Sequence, residues 1–414
     1  MFFTYDEFDV LLGRQLKVSP MKPLVVNPGG RLGVEDIVGR EQEIRRYWKI
    51  LERQGLVLGA ERRLGKTHIV LKMHETGQDG FVTFYQDLES VHGLTELVRA
   101  IYKSVEHQLP RVKKAKRRAI DLWTTVVPKK VGSLDLPDAR NNWKGLLAEA
   151  VSDVLEAVDP ADKVVLIWDE LPLMLYNLHK REGADSVIQL LDLLRSLRQQ
   201  HGSRLRFLFT GSIGLHLVLR ALRMAGNAND PVNDMHQETV NPMVEAEAIE
   251  LACRLLCGLE HPPAEAEPLA KLIHAAIGGF PYYIHHLVDR LGALDREPTA
   301  ADVTGAAEAL VHADDDPAHL AYYHQRLASY YAPEEVRLAL LVLNTVASQE
   351  EATSMENLLN LARHELPEVR EEQIRDTCLL LRRDHYLTLE RRGGVTVHDF
   401  RWNVVKRWWK ENRL

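Results

Sequence analysis

Eight residues between an apolar strand and a helix carry the clearest chemical signature in the chain. They follow the apolar run 56–58 and read Ala60-Glu61-Arg62-Arg63-Leu64-Gly65-Lys66-Thr67, with a helical segment from His68. Backbone N–H groups and a helix N-terminus at such a turn attract anions, and Gly-Lys-Thr is a typical ending of a phosphate-binding loop (P-loop). We expect Lys66 to reach the β- and γ-phosphates of a nucleotide and the hydroxyl of Thr67 to bind Mg²⁺. All nine residues from 60 to 68 are candidate nucleotide ligands.

Ala60 departs from the usual pattern of this loop, G-x-x-x-x-G-K-[ST], which has its first glycine there. Gly59 lies one position too early. A methyl group restricts backbone torsion angles that glycine adopts freely. The loop therefore predicts phosphate binding and leaves open whether hydrolysis is slowed.

A second chemical signal is the carboxylate pair Asp169-Glu170, which follows Lys163 and the apolar run 164–168. A continuous apolar run predicts a parallel strand buried on both faces, with its last residues at the carboxyl edge of the sheet. We expect Asp169 to complete the Mg²⁺ coordination, and Glu170 to orient and polarise the attacking water. Two solvated acids at the end of a core strand are the alternative.

The chain alternates strands and helices, which predicts a parallel sheet with ligands at the carboxyl ends of its strands. The strand 205–209 ends in Thr210-Gly211-Ser212, so Thr210 or Ser212 could hydrogen-bond the γ-phosphate or the attacking water. An ordinary polar strand end is the alternative. Arg195 and Arg198 lie on the preceding helix, at about 185–201, and either could be an arginine finger across a subunit interface unless both are simply solvated.

Composition narrows the class of protein. The chain has 414 residues, 45% hydrophobic content and a formal net charge of −7, which suits two or three globular domains rather than a protein wrapped along nucleic acid. Cys253, Cys257 and Cys378 cannot all pair, and no zinc-type ligand spacing accompanies them. The N-terminus lacks a basic signal-peptide region, and no run is long enough for a membrane span. We therefore expect a cytoplasmic protein with no membrane contact.

The order of predicted elements indicates four regions. We expect an N-terminal extension over 1–33, a P-loop ATPase core over 34–240, a helical lid and linker over 241–330, and a winged-helix domain over 331–414. The last assignment depends on helices at about 334–347, 354–365 and 368–383, followed by two short strands around Gly393-Gly394. A basic insertion at about 108–140, densest at 111–118, is either a solvated helix face or a contact for nucleic acid or a partner.

With these pieces in order, residues 34–414 resemble the archaeal-type ATPases and the related STAND and origin-initiator branch of the AAA+ superfamily. The resemblance implies an α/β P-loop NTPase sheet with an α-helical lid and a C-terminal winged helix. In that branch a "GRE" box lies near the adenine, and Gly39-Arg40-Glu41 is similar to it. Paired arginines in the P-loop are also common there, as at Arg62-Arg63.

Two further motifs enter through the resemblance. Gly279-Phe280-Pro281 looks like the G-x-P motif of STAND lids, which implies that Pro281 lies against the adenine. Val397-His398-Asp399 is similar to a motif whose histidine contacts the β-phosphate of bound ADP. An ordinary histidine at the end of the wing is the alternative for His398.

These observations predict a Mg²⁺-dependent switch that binds ATP and ADP, hydrolyses ATP and couples nucleotide state to DNA or a partner protein. One alternative is an initiator-like ATPase that binds duplex DNA through its winged helix. Another is a nucleotide-gated subunit of a bacterial defence system that acts through a separate effector, because STAND-type sensor repeats are not seen after His398. A homo-oligomer would be needed if an arginine finger acts across subunits.

Overall fold

The structure is a computed structural model that describes residues 22–108, 142–211, 214–227, 229–312 and 316–414. The basic cluster at 111–118 and Ser212 lie outside the described residues, so the predictions made for them stay predictions. Among the described residues, no helix is both long and apolar enough to cross a membrane.

The core is a five-stranded parallel sheet with helices on both faces. In chain order its elements are α1 (Glu41–Leu51), β1 (Leu56–Gly59), α2 (Lys66–Thr76), β2 (Phe81–Asp87), α3 (Leu94–Gln108), α4 (Trp143–Ala157), β3 (Lys163–Asp169), α5 (Leu171–Glu182), α6 (Ala184–Gln200), β4 (Leu205–Gly211), α7 (Leu215–Met224) and β5 (His236–Thr239). The predicted parallel sheet is confirmed.

The strand order β2-β3-β4-β1-β5 brings the chemical residues together. Strand β4 lies between β1 and β3, so that Leu58 pairs with Thr210 while Trp168 pairs with Phe209. All these strands run parallel, and their carboxyl ends therefore meet at one edge. The end of β1 leads into the P-loop, and Thr210 lies between that loop and Asp169.

The apolar strands are buried on both faces because successive side chains in a strand point in opposite directions. Leu58 and Ile167 belong to one hydrophobic cluster, whereas Val57 and Trp168 belong to a second. The first cluster continues without a break into the helices that follow the sheet. Burial of apolar surface thus joins the core to the C-terminal half of the chain.

Four helices follow the sheet in the region predicted to be a lid, and they are called the lid below. They are α8 (Glu245–Leu256), α9 (Ala266–Ile277), α10 (Pro281–Gly292) and α11 (Ala300–His312). The lid is held to the segment after β5 by a hydrogen bond of 2.8 Å from the N–H of Met243 to the carbonyl of Gly279. A Cβ atom on Gly279 would lie 2.1 Å from the Met243 carbonyl oxygen, so only glycine fits there. Pro281 then begins α10, a position that suits its fixed φ and missing N–H.

A linker helix, α12 (Tyr322–Tyr330), leads to the C-terminal unit, residues 333–413. That unit contains α13 (Pro333–Ser348), β6 (Thr353–Ser354), α14 (Met355–Glu365), α15 (Glu371–Arg383), β7 (Leu387–Arg392), β8 (Val395–Phe400) and α16 (Asn403–Arg413). The three predicted helices and the predicted hairpin are confirmed. Strand β6 adds an antiparallel edge in the order β6-β8-β7. Trp402, predicted on the last helix, precedes its first residue.

Candidate functional site

The P-loop connects the end of β1 at Gly59 to the start of α2 at Lys66. Gly65 caps the helix with φ of 81°, a left-handed conformation that favours glycine. Ala60 is buried and is not among the residues with positive φ, which in this loop include Arg63 with φ of 74°. The methyl group of Ala60 therefore does not meet the torsional restriction that the sequence pattern suggested.

Lys66 is buried, and its amine donates to two carbonyl oxygens of its own loop. The distances are 3.1 Å to Ala60 O and 2.9 Å to Glu61 O. Burial lowers the pKa of Lys66, although the carboxylates of Glu170, Glu61 and Asp169 oppose that effect. For Lys66 to bind a phosphate, its amine must exchange these carbonyl oxygens for phosphate oxygens.

The buried carboxylate of Asp169 is the centre of the site. Its Oδ2 accepts a hydrogen bond of 2.7 Å from the hydroxyl of Thr67, and its Oδ1 accepts one of 2.9 Å from the hydroxyl of Thr210. The hydroxyl of Tyr85 lies 3.4 Å from Oδ2. The structure thus brings together Thr67, Asp169 and Thr210, which the sequence had placed on three separate segments.

Glu170 follows Asp169 directly and has φ of 57° and ψ of 28°. This left-handed conformation costs a non-glycine residue about 1–2 kcal/mol. Backbone strain of this kind is concentrated at functional sites. Its N–H donates to Asp169 Oδ1 over 3.1 Å, and the residue lines the main cavity of the site. The strained turn separates the two successive acids. Asp169 is buried, whereas Glu170 lies at the wall of the cavity.

A cavity of about 590 Å³ lies above the P-loop. One side of the cavity is formed by the loop and the start of α2 (residues 62, 63 and 65–68) and by the carboxyl edge of the sheet (Tyr85, Asp87, Glu89 and Glu170). The remaining walls come from the lid (Pro281, Tyr282 and His285) and from the N-terminal segment (Asn27 and residues 29–32). Pro281 and His68 therefore line the same cavity as the P-loop. The N-terminal segment was not expected at the site, and only its Gly29-Gly30 turn signals a close approach.

The N-terminal segment is held over the cavity by the lid. The N–H of Asn27 donates to Nδ1 of His285 over 3.1 Å, and the N–H of Leu24 donates to the carbonyl of Arg254 over 2.9 Å. Burial, together with the charges of His68 and His286, lowers the pKa of His285 to about 4. The ring is therefore neutral at neutral pH, which allows Nδ1 to act as an acceptor.

Arg40 of the GRE box is buried and joins three parts of the chain. Its guanidinium donates to Glu43, to Asn241 O over 2.8 Å and to Leu64 O over 3.0 Å. Gly39 has φ of 70°, and a Cβ there would lie 2.6 Å from Glu247. Neither Gly39 nor Arg40 lines the cavity. Arg40 ties the P-loop to the first residues after β5, and the adenine contact that the resemblance implies stays a prediction.

Three successive P-loop residues contact the C-terminal half of the chain. Glu61 accepts a hydrogen bond of 2.7 Å from Arg326, the guanidinium of Arg62 lies 4.3 Å from the ring centre of Tyr322, and that of Arg63 lies 3.7 Å from the ring centre of Tyr282. Cation–π contacts at such distances are favourable. The loop is thus attached to the lid and to α12 as well as to the sheet.

Three predicted site residues lie elsewhere. Arg198 is buried in an ion pair with Asp234 at 2.8 Å, and Arg195 donates to Asp230 O over 3.3 Å. Arg198 is therefore neither a solvated arginine nor free to reach a second subunit, since its guanidinium is held within its own chain. His398 is buried in β8, opposite Leu389 and Thr353, and does not line the cavity.

Another histidine of the C-terminal unit with a shifted pKa is His385, which the sequence did not single out. Burial lowers its pKa to about 3, and the charges of Arg401, Arg326, His216 and Lys66 act in the same direction. Its Nδ1 lies 3.1 Å from the guanidinium of Arg401. No local motif marks this histidine, because the charges that act on it come from separate parts of the chain.

Many solved structures are similar to this chain, and two of them share its architecture over nine tenths of its length or more. A Walker-type ATPase of Pyrococcus abyssi matches with a TM-score of 0.60 at 15% identity, over 90% of this chain and 96% of its own. The ORC2 protein of Aeropyrum pernix, in its ADPNP-ADP complexes, matches with a TM-score of 0.55 at 13% identity, over 92% of each chain.

The chain has the fold of these proteins. The likeness extends over the sheet, the lid and the C-terminal unit, because it covers nine tenths of the chain or more. At these identities it establishes the fold alone. No family model and no curated protein matches the sequence.

Proposed function

We propose that this protein binds ATP with Mg²⁺ and hydrolyses it to ADP and phosphate as a nucleotide-dependent switch. The observation that carries the proposal is the carboxylate of Asp169, held by Thr67 at 2.7 Å and by Thr210 at 2.9 Å next to the P-loop lysine. Support comes from the fold, which is shared with a protein described as a Walker-type ATPase and with an ORC2 protein solved with ADPNP and ADP.

The oxygen atoms of Thr67 and Asp169 suit Mg²⁺. In nucleotide sites this ion takes few protein ligands and completes its coordination with phosphate oxygens and water. The hydroxyl and the carboxylate oxygen are already only 2.7 Å apart, beside the N-terminus of α2. Bound there, Mg²⁺ would supply charge neutralisation for the phosphates. Thr210 would hold the other oxygen of Asp169 and so fix its orientation.

The remaining groups of the site would each have a different role in ATP hydrolysis. The N-terminus of α2 and the amine of Lys66 would bind the phosphates, and Lys66 would stabilise the charge that develops as the β–γ bond breaks. Glu170, at the cavity wall, would orient the attacking water and accept its proton. The base would extend between Pro281 in the lid and the N-terminal segment 29–32. The contacts of residues 61–63 would then transmit nucleotide state to the C-terminal half.

The test is nucleotide binding and phosphate release by Lys66→Ala, with Lys163→Ala as the matched control. Lys163 begins β3 and therefore lies at the opposite edge of the sheet from the site. We expect Lys66→Ala to lose most ATP affinity and turnover, and Lys163→Ala to keep both. Wild-type affinity and turnover in Lys66→Ala would overturn the proposal.

We also propose that the C-terminal unit is a winged helix that contacts duplex DNA. The support is its arrangement of three helices with an antiparallel hairpin, and the exposure of Arg383 on α15 and Arg391 on β7. Other arginines are partly neutralised, since Arg375 pairs with Glu371 and Arg392 with Glu390. Double substitution of Arg383 and Arg391 by alanine should weaken duplex binding and reduce its salt dependence. Duplex binding that is absent at low salt would exclude this role.

The separate effector and the homo-oligomer stay predictions. Molecular mass in solution, measured with and without ATP and duplex DNA, tests both the oligomer and the DNA-bound assembly. A purification from native cells in each nucleotide state tests the effector.

A further inference from the structure

A buried group of three charges connects the P-loop to the C-terminal unit. The guanidinium of Arg326 donates through Nη1 to Oε1 of Glu61 at 2.7 Å and through Nη2 to Oδ1 of Asp384. The side chains of Glu61, Arg326 and Asp384 are 0%, 2% and 1% exposed. The hydroxyl of Tyr331 donates to the other oxygen of Asp384 over 2.9 Å.

These three residues come from three separate parts of the fold. Glu61 is in the P-loop, Arg326 is in the linker helix α12, and Asp384 directly follows α15 in the C-terminal unit. Burial opposes the charge on Arg326, but the carboxylates of Asp384 and Glu61 hold its pKa well above its usual value. Loss of Arg326 would leave two buried carboxylates without an opposite charge, which is strongly unfavourable. The two carboxylates therefore depend on one guanidinium.

Glu61 also stabilises the observed conformation of the P-loop. Its Oε1 accepts the N–H of Arg62 at 3.0 Å, and its backbone carbonyl accepts the amine of Lys66 at 2.9 Å. Glu61 thus accepts a hydrogen bond from Arg326 through its side chain and one from Lys66 through its backbone carbonyl. A movement of Arg326 would shift Glu61 and, with it, the carbonyl that Lys66 must leave to bind a phosphate.

We propose that Arg326 is a positioning residue for the P-loop, and that docking of the C-terminal unit through Asp384 acts on nucleotide binding through it. The effect on nucleotide rests on the proposed function, whereas the effect on the loop does not. Linkage is reciprocal, so a nucleotide that favours one arrangement of Glu61 also changes how firmly Asp384 is held. Asp384 does not line the cavity, and it is connected to Glu61 of the loop by the guanidinium of Arg326, which contacts both carboxylates.

The experiment compares Asp384→Asn with Asp399→Asn in the full chain. Asp399 is the matched control because it pairs with Lys406 inside the same unit at 2.8 Å and does not contact the P-loop. The first readout is hydrogen exchange of the backbone amides at 60–67 without nucleotide. The second is affinity for methylanthraniloyl-ATP. We expect Asp384→Asn to speed exchange and weaken affinity by about tenfold each, and Asp399→Asn to change neither by more than about twofold.

A second substitution guards against loss of folding. Glu61→Gln keeps the shape of the side chain but removes its charge, and should speed exchange at 60–67 in the same way. In a double substitution the two effects should be less than multiplicative, because both act on Arg326. Folded Asp384→Asn or Glu61→Gln proteins with wild-type exchange would overturn the role of Arg326. A wild-type protein that binds no ATP analogue would overturn the proposed function instead, while exchange would still decide whether Arg326 positions the loop.

Discussion

The hydroxyl of Thr67 donates a hydrogen bond of 2.7 Å to Oδ2 of Asp169, although 102 residues separate them in the chain. Thr67 lies in the first turn of α2, directly after the loop that follows β1, and Asp169 is the last residue of β3. Strand β4 lies between β1 and β3. All three strands are parallel and end at the same edge of the sheet, which brings the two side chains within hydrogen-bonding distance. It defines the place where we expect Mg²⁺ to lie.

Asp169→Asn should lower Mg²⁺-dependent ATP hydrolysis by about two orders of magnitude, because a neutral amide binds Mg²⁺ far more weakly than a carboxylate. The measurement is phosphate release as a function of Mg²⁺ concentration. Asp162→Asn, directly before the first residue of the same strand, is the control. An unchanged Mg²⁺ dependence in Asp169→Asn would argue against this metal site.

Glu170→Gln should separate binding from hydrolysis. The amide keeps the size of the side chain but cannot accept a proton from water, so we expect about 100-fold slower turnover with ATP affinity close to wild type. Single-turnover hydrolysis and equilibrium binding of ATP measure the two effects. Glu170→Gln with full activity would show that another group orients the water.

Arg40→Ala should lower the free energy of unfolding, so its effect would not be limited to ATP hydrolysis. Arg40 is 3% exposed and its guanidinium satisfies Glu43 and the carbonyls of Leu64 and Asn241. We expect its loss to lower the free energy of unfolding by about 3 kcal/mol. The exposed pair of Arg46 with Glu238 provides the control, for which Arg46→Ala should cost less than about 1 kcal/mol. Urea unfolding of both variants makes the comparison, and equal losses would contradict it.

Ala60→Gly should not accelerate hydrolysis. The backbone of Ala60 does not adopt positive φ, and its methyl group belongs to the hydrophobic core. Restoring the usual glycine would remove a buried methyl group and add backbone freedom to the unfolded chain, at a cost of about 1 kcal/mol in stability. A large gain in turnover would show that the methyl group does obstruct the loop.

Stability should fall below neutral pH because of His285, whose pKa drops from 6.5 to about 4 on burial. A lowered pKa in the folded state means that stability is fully present above pH 6.5 and is lost as the pH falls toward about 4. The contribution of this residue changes by up to about 1.4 kcal/mol for each pH unit in that window.

His285→Asn tests this expectation, because its side-chain oxygen can accept the N–H of Asn27 without titrating. The free energy of unfolding, measured from pH 7 to about 4, should decline less steeply in the variant. His216 and His385, whose pKa values burial also lowers, act in the same direction and are present in both proteins. Identical slopes would contradict the assignment to His285.

Local patterns predicted the parallel sheet and the carboxylate at the end of β3, because an apolar run and its terminal acids are short-range features. They also predicted the helices and the hairpin of the C-terminal unit. They did not identify β5 or β6, since β5 consists of four polar residues and β6 of only two residues, so neither has an apolar pattern. Motifs of three residues were poor guides to position: Pro281 lines the cavity, whereas His398 does not.

The sequence by itself determined the chemistry that a P-loop with Gly65-Lys66-Thr67 and an Asp169-Glu170 strand end can support, because those residue types and their order are local. Only the tertiary structure decided which distant charges meet that loop. Arg326 and Asp384 carry no motif, and they join Glu61 because the lid, α12 and the C-terminal unit pack on one hydrophobic cluster with the sheet. Packing of that kind depends on many long-range contacts at once, and no short segment encodes it.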